Sequence, residues 1–377
     1  MNPQPIRMNN QTYPTYMKKN LLLLLSWLVI GLLCGCSDSS EPQKEEPDKD
    51  SVFLFLSTSG AGDNGYNDLI LKGASLMAFN HDVNFYLVES ESVEEAAKSF
   101  ETLLDIYSTY METKALFVLA SSEYKEIARR SSRPAEHCRV LLLESSDTEM
   151  PEWVTTAKIN RFGLGYLAGA MVSGQPAEII LAMPGEETTE DAAAGFEAGF
   201  RVHTDGKSVR RHYLSDKADG FNQQTKAYRL TDSIARSYSA QEESYATFLP
   251  LAGASNLGVY NAFTHFVHAQ QVIGTDTECN AQNDYIPFSL VWHIDRLVED
   301  YLTLWYRDEP MPDGQSYGLE SDYVEMSFSD SWDPLDIFRA WEGDFTSPLP
   351  DDFWTAKQAE YLPEAIAKEN AYIRQQP

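Results

Sequence analysis

The 377-residue chain carries 57 Asp and Glu against 29 Lys and Arg, a formal charge of -28 at pH 7. A surface that acidic repels phosphate backbones, which sets the chain against nucleic acid as a partner. Four cysteines with no CxxC and no Cys/His cluster supply neither a disulfide framework nor a zinc site, so no metal and no cofactor are expected.

Lys18 and Lys19 precede an apolar run from Leu21 to Leu33, too short and wrongly flanked for a spanning helix, and Leu33-Cys34-Gly35-Cys36 follows at once. This order resembles a lipoprotein signal peptide over residues 1–35, cut before Cys36, with acyl chains such as palmitate placed on that cysteine. A plain secretory signal cut nearby is the alternative. Ser37–Asp50 holds no hydrophobic or aromatic residue, so residues 36–50 cannot bury enough surface to fold and read as a disordered acidic tether. Ser37 and the acidic run Glu45–Asp50 resemble outer-membrane lipoproteins. A lipid-anchored place in the cell envelope is expected, on the outer membrane facing the periplasm or at the cell surface.

From Ser51 onward strand-like and helical patterns alternate, which argues for βαβ units and a mostly parallel sheet. Val52–Leu56 is a continuous apolar run, as in a strand buried on both faces. Gly60, Gly62 and Gly65 free the next turn for positive φ and close approach of a ligand. Asp63 is placed to cap the helix Tyr66–Phe79. A strand end feeding a helix start is where open α/β sheets put ligands, although an ordinary βα turn reads the same way. Strands Asn84–Val88, Ala115–Leu119 and Arg139–Leu143 follow, separated by helices Val93–Tyr110 and Tyr124–Ser131. After an extended piece, Thr155–Ile159, comes a second set: helices Gly163–Val172, Asp191–Val202, Gln223–Ser237 and Asn256–His268. Its strands are Glu178–Met183, Val209–Tyr213, Ala246–Leu249 and Gln271–Gly274. Single cores stop growing near about 250–300 residues, so two α/β sets in this length imply two lobes.

Gly62-Asp63-Asn64-Gly65-Tyr66-Asn67 is similar to the Asp-Lys-Ser-Phe-Asn motif that opens the basic membrane lipoprotein family of ABC-transporter substrate-binding proteins. Further segments keep that family's order: Gly163–Gly169, Gly195–Gly199, Ala252–Gly258, Ile273–Asp276, and Ser289–Asp295, which sits where the family has Ser-x-x-Lys-x-x-Asp. The resemblance covers about residues 51–330. It implies an α/β type I periplasmic-binding-protein fold, two doubly wound, Rossmann-like lobes joined by three crossover strands, with a solute held between them. The expected lobes are 51–158 plus 280–318, and 159–279 plus 319–330. Residues 331–377, which contain Trp332, Trp341 and Trp354, lie outside the resemblance and are expected to pack on the lobes as an ordered extension.

The resemblance places Tyr66 where an aromatic stacks on a base and Asp276 where a carboxylate accepts hydrogen bonds from sugar hydroxyls. A tyrosine packed under the turn and a turn aspartate are the alternatives. Asn67 and Gly253 match pocket-wall positions. Two departures follow: the family's strand-end Asp falls on Ser57 and its Lys on Trp292, which offers an aromatic wall with one N–H donor or else a core tryptophan. Phe221 is a candidate second stacking surface, and Ser121 a ligand contact or helix cap. The expected ligand-binding set is therefore Ser57, Asp63, Tyr66, Asn67, Ser121, Phe221, Gly253, Asp276 and Trp292.

The function expected is capture of a small ligand, nucleoside-like or another hydroxylated ring compound, by a monomeric lipoprotein serving an ABC permease or a sensor. A changed ligand class, carbohydrate or protein, is the alternative. No hydrolase, P-loop or dinucleotide motif is present, so no catalytic residue is assigned. Asp63 with Asp276 across a cleft would be the acid/base pair of a hydrolase on the same scaffold. His265 and His268, three apart, lack a third metal ligand. A DNA-reading helix-turn-helix should precede the lobes, where the tether stands. Cys138 and Cys279 either bridge the lobes or remain two buried thiols. If Cys36 carries the lipid, Cys36→Ala releases the protein from membranes in a fractionation assay; retention of a lipid-bearing variant contradicts it.

Overall fold

The computed structural model describes residues 49–172, 174–203, 207–239, 246–263, 270–282, 284–330 and 352–375. The expectations for the signal peptide, Cys36 and most of the tether, for His265 and His268, and for Trp332 and Trp341 lie outside these residues. No helix among the described residues is long and apolar enough to cross a membrane.

The first half alternates as its apolar periods dictate. β1 (Ser51–Phe55), α1 (Tyr66–His81), β2 (Asn84–Val88), α2 (Val93–Tyr110), β3 (Ala115–Leu119), α3 (Lys125–Arg130), β4 (Cys138–Leu143) and β5 (Val154–Ile159) follow in turn. The second set is α4 (Phe162–Met171), β6 (Ala177–Leu181), α5 (Glu187–Val202), β7 (Val209–Tyr213), α6 (Gln224–Ser239), β8 (Thr247–Leu251), α7 (Asn256–Ala262), β9 (Gln271–Val272), β10 (Gly274–Asp276) and β11 (Phe288–Trp292). The chain then forms α8 (Ile294–Tyr306), β12 (Gln315–Tyr317), β13 (Val324–Phe328) and α9 (Phe353–Ile373).

Three sheets result, one in the first lobe and two in the second. The first is parallel throughout, in the order β12-β5-β4-β3-β1-β2. The second runs β7-β6-β8-β9, and Ile273 alone separates its β9 from β10 of the third, which runs β10-β11-β13. Strands β1, β3, β6 and β8 are buried along their whole length, as continuous apolar runs covered by helices on both faces should be. The chain passes between the lobes three times: between Ile159 and Phe162, between Trp292 and Ile294, and between Tyr317 and Val324.

Two expectations are corrected. Residues 280–318 do not stay with the first lobe as a block, because β11 hydrogen-bonds to β10 and β13 in the third sheet. The middle crossing therefore falls after Trp292, and only α8, packed on α1, and β12 return to the first lobe. The return strand expected within 319–330 is β13, antiparallel to β11. Helix α5 starts four residues before Asp191, because Glu186 acts as the cap and accepts the Thr189 N–H at 2.8 Å.

The Gly163–Gly169 and Gly195–Gly199 motifs bring α4 and α5 backbone to backbone. A Cβ added at Gly165, Gly169, Gly195 or Gly199 would fall 2.0–2.3 Å from a carbonyl oxygen of the opposing helix. Cys138 and Cys279 are free and buried, one in each lobe, and no bridge joins them.

Helix α9 packs on α4. Trp354 is buried with its ring edge-on to Phe288 at 5.2 Å. Tyr372 stacks on Phe162 at 4.1 Å, and Tyr166 donates to Glu364 at 2.7 Å. The buried Glu369 carboxylate accepts from the N–H of Gly163 at 3.2 Å and of Leu319 at 2.7 Å, so one side chain ties together two of the three crossings. Any side chain at Gly163 or Gly318 would occupy the carboxylate's place.

Burial pushes the Glu369 carboxyl up to about 7, against the pull of those two N–H groups. The folded protein thus holds this proton after the unfolded chain, with its ordinary carboxyl, has released it. The stability it contributes is full below the ordinary carboxylate range and is lost as pH rises through about 7. At ~1.4 kcal/mol per pKa unit, denaturant unfolding of Glu369→Gln should lack about 3 kcal/mol of the fall that the native protein shows between mildly acidic and neutral pH. Parallel pH profiles would contradict this.

Candidate functional site

The carboxyl ends of strands from both lobes converge on one cavity of about 390 Å³, within the ~300–1,000 Å³ range of small-molecule sites. Ser57, Asp63, Tyr66, Asn67, Ser121, Phe221, Gly253, Asp276 and Trp292 all line it. The structure thus brings together the whole expected ligand-binding set, from six separate segments of the chain.

The first wall is the turn after β1. Asp63 accepts from the N–H groups of Gly65, Asn67 and Asp68 at 2.9, 2.9 and 3.2 Å, and so closes the start of α1. Both its oxygens are engaged, which leaves it a poor partner for acid/base work with Asp276. Asn67, fully buried, donates to Ser57 Oγ and Ser59 Oγ, both at 3.0 Å, and holds the strand end against the helix. Tyr66 donates its hydroxyl to the Ala120 carbonyl at 2.8 Å, so its ring stands along the cavity with its polar end already satisfied. Ser121 lines the cavity and also accepts the Glu123 N–H at 3.3 Å, which serves both readings of that residue.

The opposite wall belongs to the second lobe. Asp276 ends β10 with φ 70°, a left-handed conformation uncommon outside glycine. It is only partly covered, yet the protein atoms crowding it exclude enough water to push its carboxyl up to about 6; Arg161 opposes the rise, and Asp63, Glu186 and Glu144 add to it. A Cβ at Gly65 would lie 3.3 Å from Asp276 Oδ2, so the turn of one lobe rests on the carboxylate of the other. Gly253, at φ 55°, lets the Phe221 ring lie flat over it, since a Cβ there would be 3.0 Å from that ring. Two further contacts join the walls: Lys125 Nζ with Glu187 at 2.6 Å and Asn222 Nδ2 with the Ser59 carbonyl at 3.3 Å.

Sequence reasoning missed the charged centre. Arg161, in the first crossing, donates both its terminal amino groups to Glu144 at 2.9 Å, a two-pronged pair with both partners buried. The same guanidinium lies 5.7 Å from the Tyr66 ring centre and 5.4 Å from that of Trp292. Burial alone would lower its pKa, but Glu144 outweighs that and raises it. The Ser57 and Trp292 departures removed one acid and one base from the expected pattern; Glu144 and Arg161 return one of each from other strand ends. Glu144 directly follows β4 at φ 55°, and the strand-end rule applied to the Leu141–Leu143 run would have found it. Trp292 is buried, lines the cavity, and its indole N–H has no partner among the described residues.

No family model and no curated protein matches the chain. Solved structures do. An ABC transporter solute-binding protein from Aeropyrum pernix K1 has a TM-score of 0.63 at 16% identity over 85% of this chain and 92% of its own. A transcriptional activator of the comK gene from Bacillus halodurans has a TM-score of 0.56 at 16% identity over 83% and 97%. An ABC transporter periplasmic solute-binding protein from Actinobacillus succinogenes 130z, with bound D-allose, has a TM-score of 0.52 at 13% identity over 75% and 99%. The fold is that of the type I periplasmic binding proteins, two doubly wound α/β lobes joined by crossover segments.

Removing one partner of a buried ion pair leaves the other charge uncompensated. Glu144→Ala is therefore expected to cost about 3–5 kcal/mol in urea unfolding, with much of it recovered when Arg161→Met is added. A loss under about 1 kcal/mol would show the pair to be dispensable.

Proposed function

We propose that this protein is a lipid-anchored solute-binding protein of the cell envelope. It captures a small hydroxylated ring compound between its lobes and passes it to an ABC-type permease or presents it to a sensor. The observation that carries this reading is the convergence of nine sequence-selected residues on one interlobe cavity, with Tyr66 on one wall and Asp276 on the other. Tyr66 offers a ring to stack on, and Asp276 a carboxylate with no ion-pair partner among the described residues, suited to sugar hydroxyls. The motif order favours kinship with the basic membrane lipoprotein family and a nucleoside-like ligand. The loss of the strand-end acid at Ser57 and of the lysine at Trp292 favours a carbohydrate as the second reading, in line with the D-allose held by a protein of the same fold. The hydrolase reading is disfavoured by Asp63, whose oxygens serve the start of α1. The anchor rests on the Lys18–Cys36 pattern alone.

A thermal-shift screen of nucleosides, nucleobases and sugars finds the ligand, since saturation at about 100 times the dissociation constant adds roughly 2.7 kcal/mol. Calorimetry with that compound should then show Tyr66→Ala losing at least about 2 kcal/mol, roughly thirtyfold in affinity, and Asp276→Ala a similar amount. Unchanged affinity in both folded variants would overturn the assignment of the cavity.

A further inference from the structure

The charge around the cavity is unbalanced in a way that its contacts make specific. Six carboxylates line it, those of Asp63, Glu123, Glu144, Glu186, Glu187 and Asp276, against two cations, Lys125 and Arg161. Both cations are already committed, Arg161 to Glu144 and Lys125 to Glu187. Asp63, Glu123, Glu186 and Asp276 take part in no ion pair among the described residues. Glu123 spends its oxygens on the Thr58 N–H and hydroxyl at 2.8 and 3.0 Å.

Helix starts are the usual places for a bound anion, because their free N–H groups and dipole favour negative charge. Several helix starts border this cavity, and at two of them the protein's own carboxylates already take N–H groups. Asp63 takes the N–H groups that begin α1, and Glu186 takes the Thr189 N–H that begins α5. An anionic ligand would meet those acids and the unpaired carboxylates beside them. Asp276 stands apart: it is at no helix start, its nearest hydrogen-bond donor is Asn256 Nδ2 at 3.5 Å, and it sits where the two walls meet. The cavity also holds one buried donor in want of an acceptor, the Trp292 indole N–H.

We propose that the cavity selects a hydroxylated ring carrying a protonated amine, the ammonium on Asp276 and a ring or hydroxyl oxygen on the Trp292 N–H, and rejects phosphorylated forms of the same ring. The inference rests on the reading of the cavity as a solute site and narrows it by charge.

The test is calorimetry on the folded protein with two sets of probes: D-glucose, D-glucosamine and D-glucose 6-phosphate, and adenosine, 5′-amino-5′-deoxyadenosine and adenosine 5′-monophosphate. In at least one set the amine should bind about tenfold or more tighter than its neutral parent, with no binding of the phosphate. Asp276→Asn removes the charge at constant shape, and asparagine tolerates the left-handed backbone; the ratio of amine to parent should then fall to within about twofold. A phosphate that binds as well as its parent, or an amine no tighter than its parent, overturns the charge inference and leaves the solute site standing. Binding of none of the six by a protein that still unfolds cooperatively overturns both.

Discussion

The site depends on one buried ion pair. Arg161 leaves the first sheet in the first crossing, turns back to grip Glu144 at the end of β4, and places its guanidinium beside Tyr66 of the first lobe and Trp292 at the second crossing. Three other segments of the chain are thereby held to one charged group. A buried guanidinium is tolerable only if its charge and donors are met, and the two-pronged geometry with Glu144 meets them. The pair fixes the floor of the cavity without lending it positive charge, which is why the remaining acids decide the field that a ligand meets.

The carboxy-terminal helix applies the same logic to the frame. Closure of two lobes is taken up by backbone changes at the crossings. Glu369 of α9 binds the N–H groups of Gly163 and Leu319 in two of those crossings, and Phe162 and Tyr372 stack beside it. A helix outside the two lobes thus touches the segments on which their relative position depends. A side chain at position 163 or 318 would displace that carboxylate.

The alternation of strands and helices was legible because buried parallel strands are short continuous apolar runs, and Val52–Leu56 and Ala115–Leu119 are unmistakable ones. The cavity wall was legible where a motif of several residues marked it, as at Gly62–Asn67 and Ile273–Asp276. Single residues that act through distant partners were not. Glu144 and Arg161 are each one charge at the end of a strand, and nothing local says that they meet. Glu186 was missed as a cap because glutamate ranks low at that position, and the start of α5 was misplaced with it. β11 was assigned to the wrong lobe because its apolar run tells that it is buried, but not against which sheet.

The central claim is that the space between Tyr66 and Asp276 holds a small molecule. Native mass spectrometry of the protein equilibrated with a metabolite extract tests it most directly. The account predicts a discrete adduct of one small molecule per chain that is absent when Tyr66→Ala and Asp276→Ala are combined in a folded protein. An adduct of equal occupancy in the native protein and the double variant would contradict it.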